Sequence, residues 1–145
     1  MRFMVQVRAT EETEAGAMPS TELLEAMGRF NAEMAEAGIM KGGEGLLPTS
    51  RDAARVSFEG GEAQVQDGPF PNVREIVSGF WIIEVASKAE AVEWMQRAPM
   101  NKGAVLEIRR IASAEDFGEA LTPELREQEE RMRAQQEADL AHRDL

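Results

Sequence analysis

Residues 79–85 read GFWIIEV, and the reading of this stretch decides the fold. It is short, apolar and rich in β-branched and aromatic residues, so it reads as a strand. Side chains of a strand alternate between its two faces. Phe80 and Ile82 therefore share one face, and Trp81, Ile83 and Val85 the other. Both sets are apolar, and a strand apolar on both faces is usually buried on both. GFWIIEV is thus expected at the centre of a sheet that is covered on both sides.

The flanking sequence supplies one of the two covers. Ser87-Lys88-Ala89-Glu90 has the form of a capping box, and the helix it starts carries Val92, Trp94 and Met95. Pro99 lies beyond its end, and AVLEIRRI (104–111) reads as the last strand of the body. Upstream, RVSF and EAQVQ flank Gly60-Gly61 as a hairpin. FMVQV (3–7) is a first strand, and EETEAGAMPS (11–20) a polar loop. Ser20 caps a helix whose Leu23, Leu24, Met27, Phe30 and Met34 fall at helical spacing and which stops near Gly38. IMKGGEGLLP (39–48) is a strand loosened by glycines. The order is β-α-β, hairpin, β-α-β. It predicts an α+β class, a ferredoxin-like split βαβ with an inserted hairpin and helices on one sheet face. No element remains for the other face, so a second copy of the chain is expected there, around Trp81 and Ile83.

Composition narrows the rest. With 145 residues and 43% apolar content, one core is expected. A net charge of −11 repels nucleic acid phosphates and anionic membrane surfaces, so neither partner is expected. There is no cysteine and one histidine, and the acids are dispersed, so no metal is expected. The absence of a nucleotide loop predicts no cofactor. MRFMVQVRAT lacks the apolar core of a signal peptide and no run reaches membrane length, so a cytoplasmic protein is expected. Residues 113–145 hold ten acids against four bases, which separates an acidic extension from a body at 1–112. Within it, Thr122-Pro123 starts a helix, and Leu125, Met132 and Leu140 are too sparse a stripe for a coiled coil.

The segment VQDGPFPNVRE (65–75) carries the candidate chemistry. Asp67 before Gly-Pro-Phe is either a proton-transfer group at the mouth of an apolar cleft or a turn acid bonded to backbone N–H groups. Gly68 offers freedom in φ and Pro69 fixes the backbone, so that Phe70 points in a set direction. Glu44, between glycines, is either a second carboxylate beside a ligand or part of a bulged strand near a sheet edge. Arg74 is the cation best placed to hold an anionic ligand, or pairs locally with Glu75. Phe70, Phe80 and Trp81 are pocket walls or core.

GGEGL (42–46), DGPF (67–70), Arg74-Glu75, GFWIIEV, EAVEW (90–94), Pro99 and EIR (107–109), in that order, resemble the DGPF-domain branch of the YCII-related family over residues 1–112. The resemblance implies a ferredoxin-like subunit that pairs into a dimeric α+β barrel. Relatives with such a barrel include muconolactone isomerases and heme-free monooxygenases. It also implies a His–Asp pair as the active site, but the one histidine, His142, lies in the extension and leaves the pair incomplete in the body. Three readings stay open. One is a proton-transfer enzyme with Asp67 as acid or base and Arg74 orienting the substrate. Another is a homodimer that binds a small organic ligand without chemistry. The third is a structural or partner-binding dimer whose acidic extension is the working part.

Overall fold

The computed structural model describes residues 1–143. It contains two compact units, Met1–Ile111 and a second that begins at Ala112. The first unit holds β1 (Arg2–Arg8), α1 (Glu11–Glu14), α2 (Thr21–Glu36), β2 (Met40–Gly45), β3 (Ala54–Ser57), β4 (Gln64–Asp67), β5 (Val77–Glu84), α3 (Lys88–Gln96) and β6 (Leu106–Arg110). A 3-10 turn, Val73–Glu75, precedes β5.

Four strands form an antiparallel sheet in the order β2-β5-β1-β6. β5 lies between the two strands that α2 connects, which is the split βαβ arrangement. The GFWIIEV strand therefore pairs on both sides, with β1 and with β2. β2 is an edge strand, and its register shifts between Met40 and Gly42, as a bulge does.

The core joins Phe3 and Val5 of β1, Phe30 and Met34 of α2, Trp81 and Ile83 of β5, and Ala91 and Met95 of α3. Trp81 and Ile83 thus face the helices, which corrects the expectation that they lie on the face the helices leave uncovered; that face carries Phe80 and Ile82. The indole decides this orientation. Its ring packs edge-on to Phe30, centroids 5.9 Å apart at 78°, and its N–H needs an acceptor, which α2 provides at Asn31, 2.9 Å away. On the opposite face Met4, Gln6, Phe80 and Ile82 are half-buried.

The helix ends follow their caps. Ser20 Oγ accepts from the Leu23 N–H at 3.1 Å. Ser87 Oγ accepts from the Glu90 N–H at 3.2 Å, while the Glu90 carboxylate reaches back to the Ala86 N–H at 2.8 Å, one residue before the usual capping-box donor. The stretch expected as a plain loop, 11–20, contains α1, capped reciprocally by Thr10 and Thr13.

β3 and β4 form a separate two-stranded hairpin with Val56 opposite Val65. Gly61, at φ +87°, makes the turn that lets the strands reverse. Alternation puts Ala54, Val56, Val65 and Asp67 on one face. That face is open: Val56 is 56% and Val65 69% exposed.

The second unit starts with a 3-10 segment, Ala114–Ala120, where the Ser113 N–H donates to Asp116 Oδ2 at 2.7 Å. Helix α4, Pro123–Arg143, follows, with Thr122 Oγ1 accepting from the Leu125 N–H at 3.2 Å. None of its residues is buried.

Candidate functional site

A cleft of about 290 Å³ lies between α2 and the β2–β5 side of the sheet. It exists because side chains are missing there. Gly45 stands opposite Gly79, and Gly43 opposite Trp81. A Cβ on Gly43 would lie 2.9 Å from Trp81 Cδ1, so only glycine lets β2 run against the indole. The walls are apolar: Val7, Met27, Met40 and Met100.

Two polar side chains enter this apolar surface. Asn31 Oδ1 accepts the Trp81 Nε1–H at 2.9 Å. Ser78 Oγ donates to the Val7 carbonyl at 3.3 Å. Glu44 borders the cleft and is its one titratable residue. Alternation from Gly43 turns the Glu44 side chain to the face of Phe80. Its carboxylate is exposed, with no hydrogen bond or ion pair among the described residues.

The DGPF turn is a different place. Asp67 ends β4 with its side chain exposed, and its carboxylate likewise has no hydrogen bond or ion pair among the described residues. It therefore does not behave as a turn acid tied to backbone donors. The Gly68 N–H donates to the Ala53 carbonyl at 2.9 Å, and the Gly68–Pro69 peptide is cis. Gly68 is not among the residues with positive φ. Its requirement is space, since a Cβ there would fall on the Thr49 carbonyl oxygen. This corrects the expectation that Gly68 serves by its freedom in φ.

Phe70 is held by a relay. Its N–H donates to Thr49 Oγ1 at 3.0 Å. The Thr49 hydroxyl donates to Glu14 Oε2 at 2.7 Å, and the Thr49 N–H to Glu14 Oε1 at 3.0 Å. The Arg55 guanidinium stacks on the Phe70 ring, 3.9 Å from its centroid, and lies 3.7 Å from Glu75. Glu75 thus pairs with Arg55 rather than with Arg74. The Arg74 carbonyl accepts from Arg8 Nη1 at 3.1 Å, and the Arg74 side chain is exposed.

Of the residues singled out in the sequence, Glu44, Phe80 and Trp81 border the cleft; Asp67, Phe70 and Arg74 lie outside its lining. His142 is in the second unit, its Nδ1 3.1 Å from the Ala138 carbonyl. Sequence reasoning missed Asn31, Met100 and the Glu14–Thr49 clamp. A signal for Asn31 was present: it falls four residues after Met27 and three before Met34, so an amide interrupts the apolar stripe of α2.

A second hollow of about 250 Å³ is lined by Glu90, Glu93, Trp94 and Arg97 only. Arg97 stacks 4.3 Å from the Trp94 ring centre and lies 3.2 Å from Glu33, so its charged group is already engaged. Among the described residues no three His, Cys, Asp or Glu side chains gather as a metal site, and no helix is long and apolar enough to cross a membrane.

The model of the YCII-related domain matches residues 1–115. The chain belongs to the YCII-related family. No curated protein matches it. Among solved structures, this YCII-related chain is similar to 5-chloro-2-hydroxyhydroquinone dehydrochlorinase from Burkholderia phenoliruptrix AC1100 in complex with 2,5-dihydroxybenzoquinone. The likeness has 12% identity, covers 80% of this chain and 98% of that chain, and has a TM-score of 0.41.

Proposed function

We propose that this YCII-related domain binds a small organic molecule in the cleft between α2 and the β2–β5 side of the sheet, and does so as a homodimer. The observation that carries the ligand reading is the cleft itself: apolar walls with a hydrogen-bonding amide, Asn31, set among them. Ligand sites are mostly apolar concavities with a few placed polar groups, and about 290 Å³ is at the small end of their range. The test is to follow the indole N–H resonance of Trp81 while a library of small neutral and charged aromatics is added. Saturable shifts of this resonance and of Gly43 are expected. Shifts confined to other parts of the chain would overturn the reading.

The homodimer rests on the sheet face opposite the helices. Met4, Phe80 and Ile82 are half-buried there, on the two central strands. Alternation puts Glu44 and Glu84 on this face from β2 and β5, and Arg2 and Arg109 from β1 and β6. Glu107 of β6 joins them, so the face carries both signs of charge, which suits a self-complementary contact between two copies. Sedimentation is expected to give a dimer at micromolar concentration, and Phe80→Asp a monomer. Monomer alone for the unaltered chain would sink the dimer.

A second reading, proton transfer with Asp67 as acid or base, is favoured by one observation: its carboxylate is exposed and without a partner among the described residues. Phe70 then offers an apolar wall and Arg74 a cation for an anionic group. Asp67 is outside the lining of its own chain's cleft, so this reading requires it to act on a ligand held by the second copy. Weaker ligand binding in Asp67→Asn, at unchanged stability, is the expected result. Unchanged binding removes Asp67 from the site.

A further inference from the structure

We infer that the cleft selects a neutral molecule bearing a carbonyl group, with Asn31 Nδ2 as the donor that recognises it. This rests on the cleft reading above and narrows it to a class of ligand.

The argument starts from the indole. Its nitrogen can only donate a hydrogen bond. The atom of Asn31 that lies 2.9 Å from Trp81 Nε1 must therefore be the amide oxygen. Chemistry thus settles which end of the amide is which. The NH2 end is turned away from the indole and carries two donors. Neither meets an acceptor among the described residues, and Asn31 is half-buried beside the cleft. No buried polar side-chain atom lacks a partner among the described residues, so Asn31 Nδ2 reaches solvent at the cleft, and a ligand oxygen would take the place of water there.

The other cleft groups sharpen the choice. Ser78 directs its proton to the Val7 carbonyl, and Trp81 directs its own to Asn31. Asn31 Nδ2 is therefore the side-chain donor left free among the lining residues. No lysine, arginine or histidine lines the cleft, its one titratable residue is Glu44, and the chain carries a net charge of −11. A carboxylate or phosphate entering there would lose hydration, gain no counter-charge and feel repulsion. Met27, Met40 and Met100 offer polarisable, adaptable walls suited to a flat apolar body. A ketone, lactone, ester or amide on such a body brings the acceptor that Asn31 Nδ2 can use and no charge. A carboxylate fails on charge, and a hydrocarbon leaves the amide unpaired.

The test uses three probes of nearly equal size: acetophenone, ethylbenzene and benzoate. Each is titrated into the full-length chain while the Trp81 indole N–H and the Asn31 side-chain amide are followed by NMR. Acetophenone is expected to bind about fivefold or more tighter than ethylbenzene, the scale of one added hydrogen bond, with benzoate weakest. Asn31→Asp keeps an oxygen toward the indole and exchanges the donor for a second oxygen, so it should abolish the preference for acetophenone over ethylbenzene. Asn31→Ala should abolish it too, and serves if the aspartate variant does not fold. Equal binding of acetophenone and ethylbenzene, benzoate binding tightest, or a preference that survives both substitutions would overturn the inference while leaving the cleft a ligand site. If none of the three probes moves the cleft resonances, the cleft reading falls, and the inference with it.

Discussion

At the DGPF turn the chain uses a conspicuous motif to hold backbone in place, whereas at the α2 cleft it uses glycines to leave room. Gly68 is needed because Thr49 sits where its side chain would be, and Phe70 hangs from the Thr49–Glu14 relay. In the cleft, glycines remove side chains and Asn31 turns an unused amide end away from the indole. The more conspicuous motif is therefore the more mechanical one. A conspicuous string of residues here reports a demanding backbone, while the proposed ligand cleft is written in ordinary ones.

This contrast can be broken by substitution. Gly68→Ala should have the largest effect, a loss of about 3 kcal/mol in urea unfolding, because the added methyl collides with backbone that cannot move alone. A loss below about 0.5 kcal/mol would mean that the turn is not clamped. Gly43→Ala should follow at about 2 kcal/mol, since its methyl presses on the indole 2.9 Å away. It should also shift the Trp81 indole N–H resonance and weaken probe binding, which Gly68→Ala should do less. Thr49→Val should cost about 1 kcal/mol, by leaving the Phe70 N–H and the Glu14 carboxylate without the hydroxyl. Unchanged probe affinity in Thr49→Val would keep turn and cleft separate; a large change would join them.

Smaller effects belong to the second unit. Removal of the chain after Ile111 should change the unfolding free energy of the body by less than about 0.5 kcal/mol, because no α4 residue is buried. Insoluble protein would show that the extension is structural. The last and smallest effect is at Glu115. A backbone N–H, and after it the Ser113 hydroxyl, hold its carboxyl below the ordinary value. A depressed folded value means that the support is present above the unfolded value and is lost as pH falls through the folded one. NMR titration of Glu115 should therefore show a midpoint below the ordinary carboxylate value, with no response in the cleft.

The sheet, α2 and α3 were legible because each carries a period and a cap: alternation in GFWIIEV, the 27–30–34 stripe, Ser20 and Ser87. Helix α1 was not, because four polar residues held by Thr10 and Thr13 have no apolar period to read. Alternation also divides Phe80 from Trp81 without saying which set meets the helices. That choice depends on an acceptor for the indole, and Asn31 lies fifty residues earlier in the chain. The cleft was illegible for a similar reason, since Met27, Gly43 and Met100 meet only in three dimensions. The purpose of Gly68 was misread because Thr49, on another segment, determines it.

The open hairpin face bears on how the protein behaves in bulk solution. Val56 and Val65 offer a small sticky surface on a two-stranded ribbon with a free edge. At neutral pH a net charge of −11 keeps molecules apart and the surface silent. Near the isoelectric point, pH about 4.6, that repulsion vanishes. Concentrated salt shortens its reach in the same way. Turbidity should therefore rise under both conditions, and Val65→Lys should suppress the salt-induced part most, making the hairpin the colloidal weak point of an otherwise well-dispersed chain.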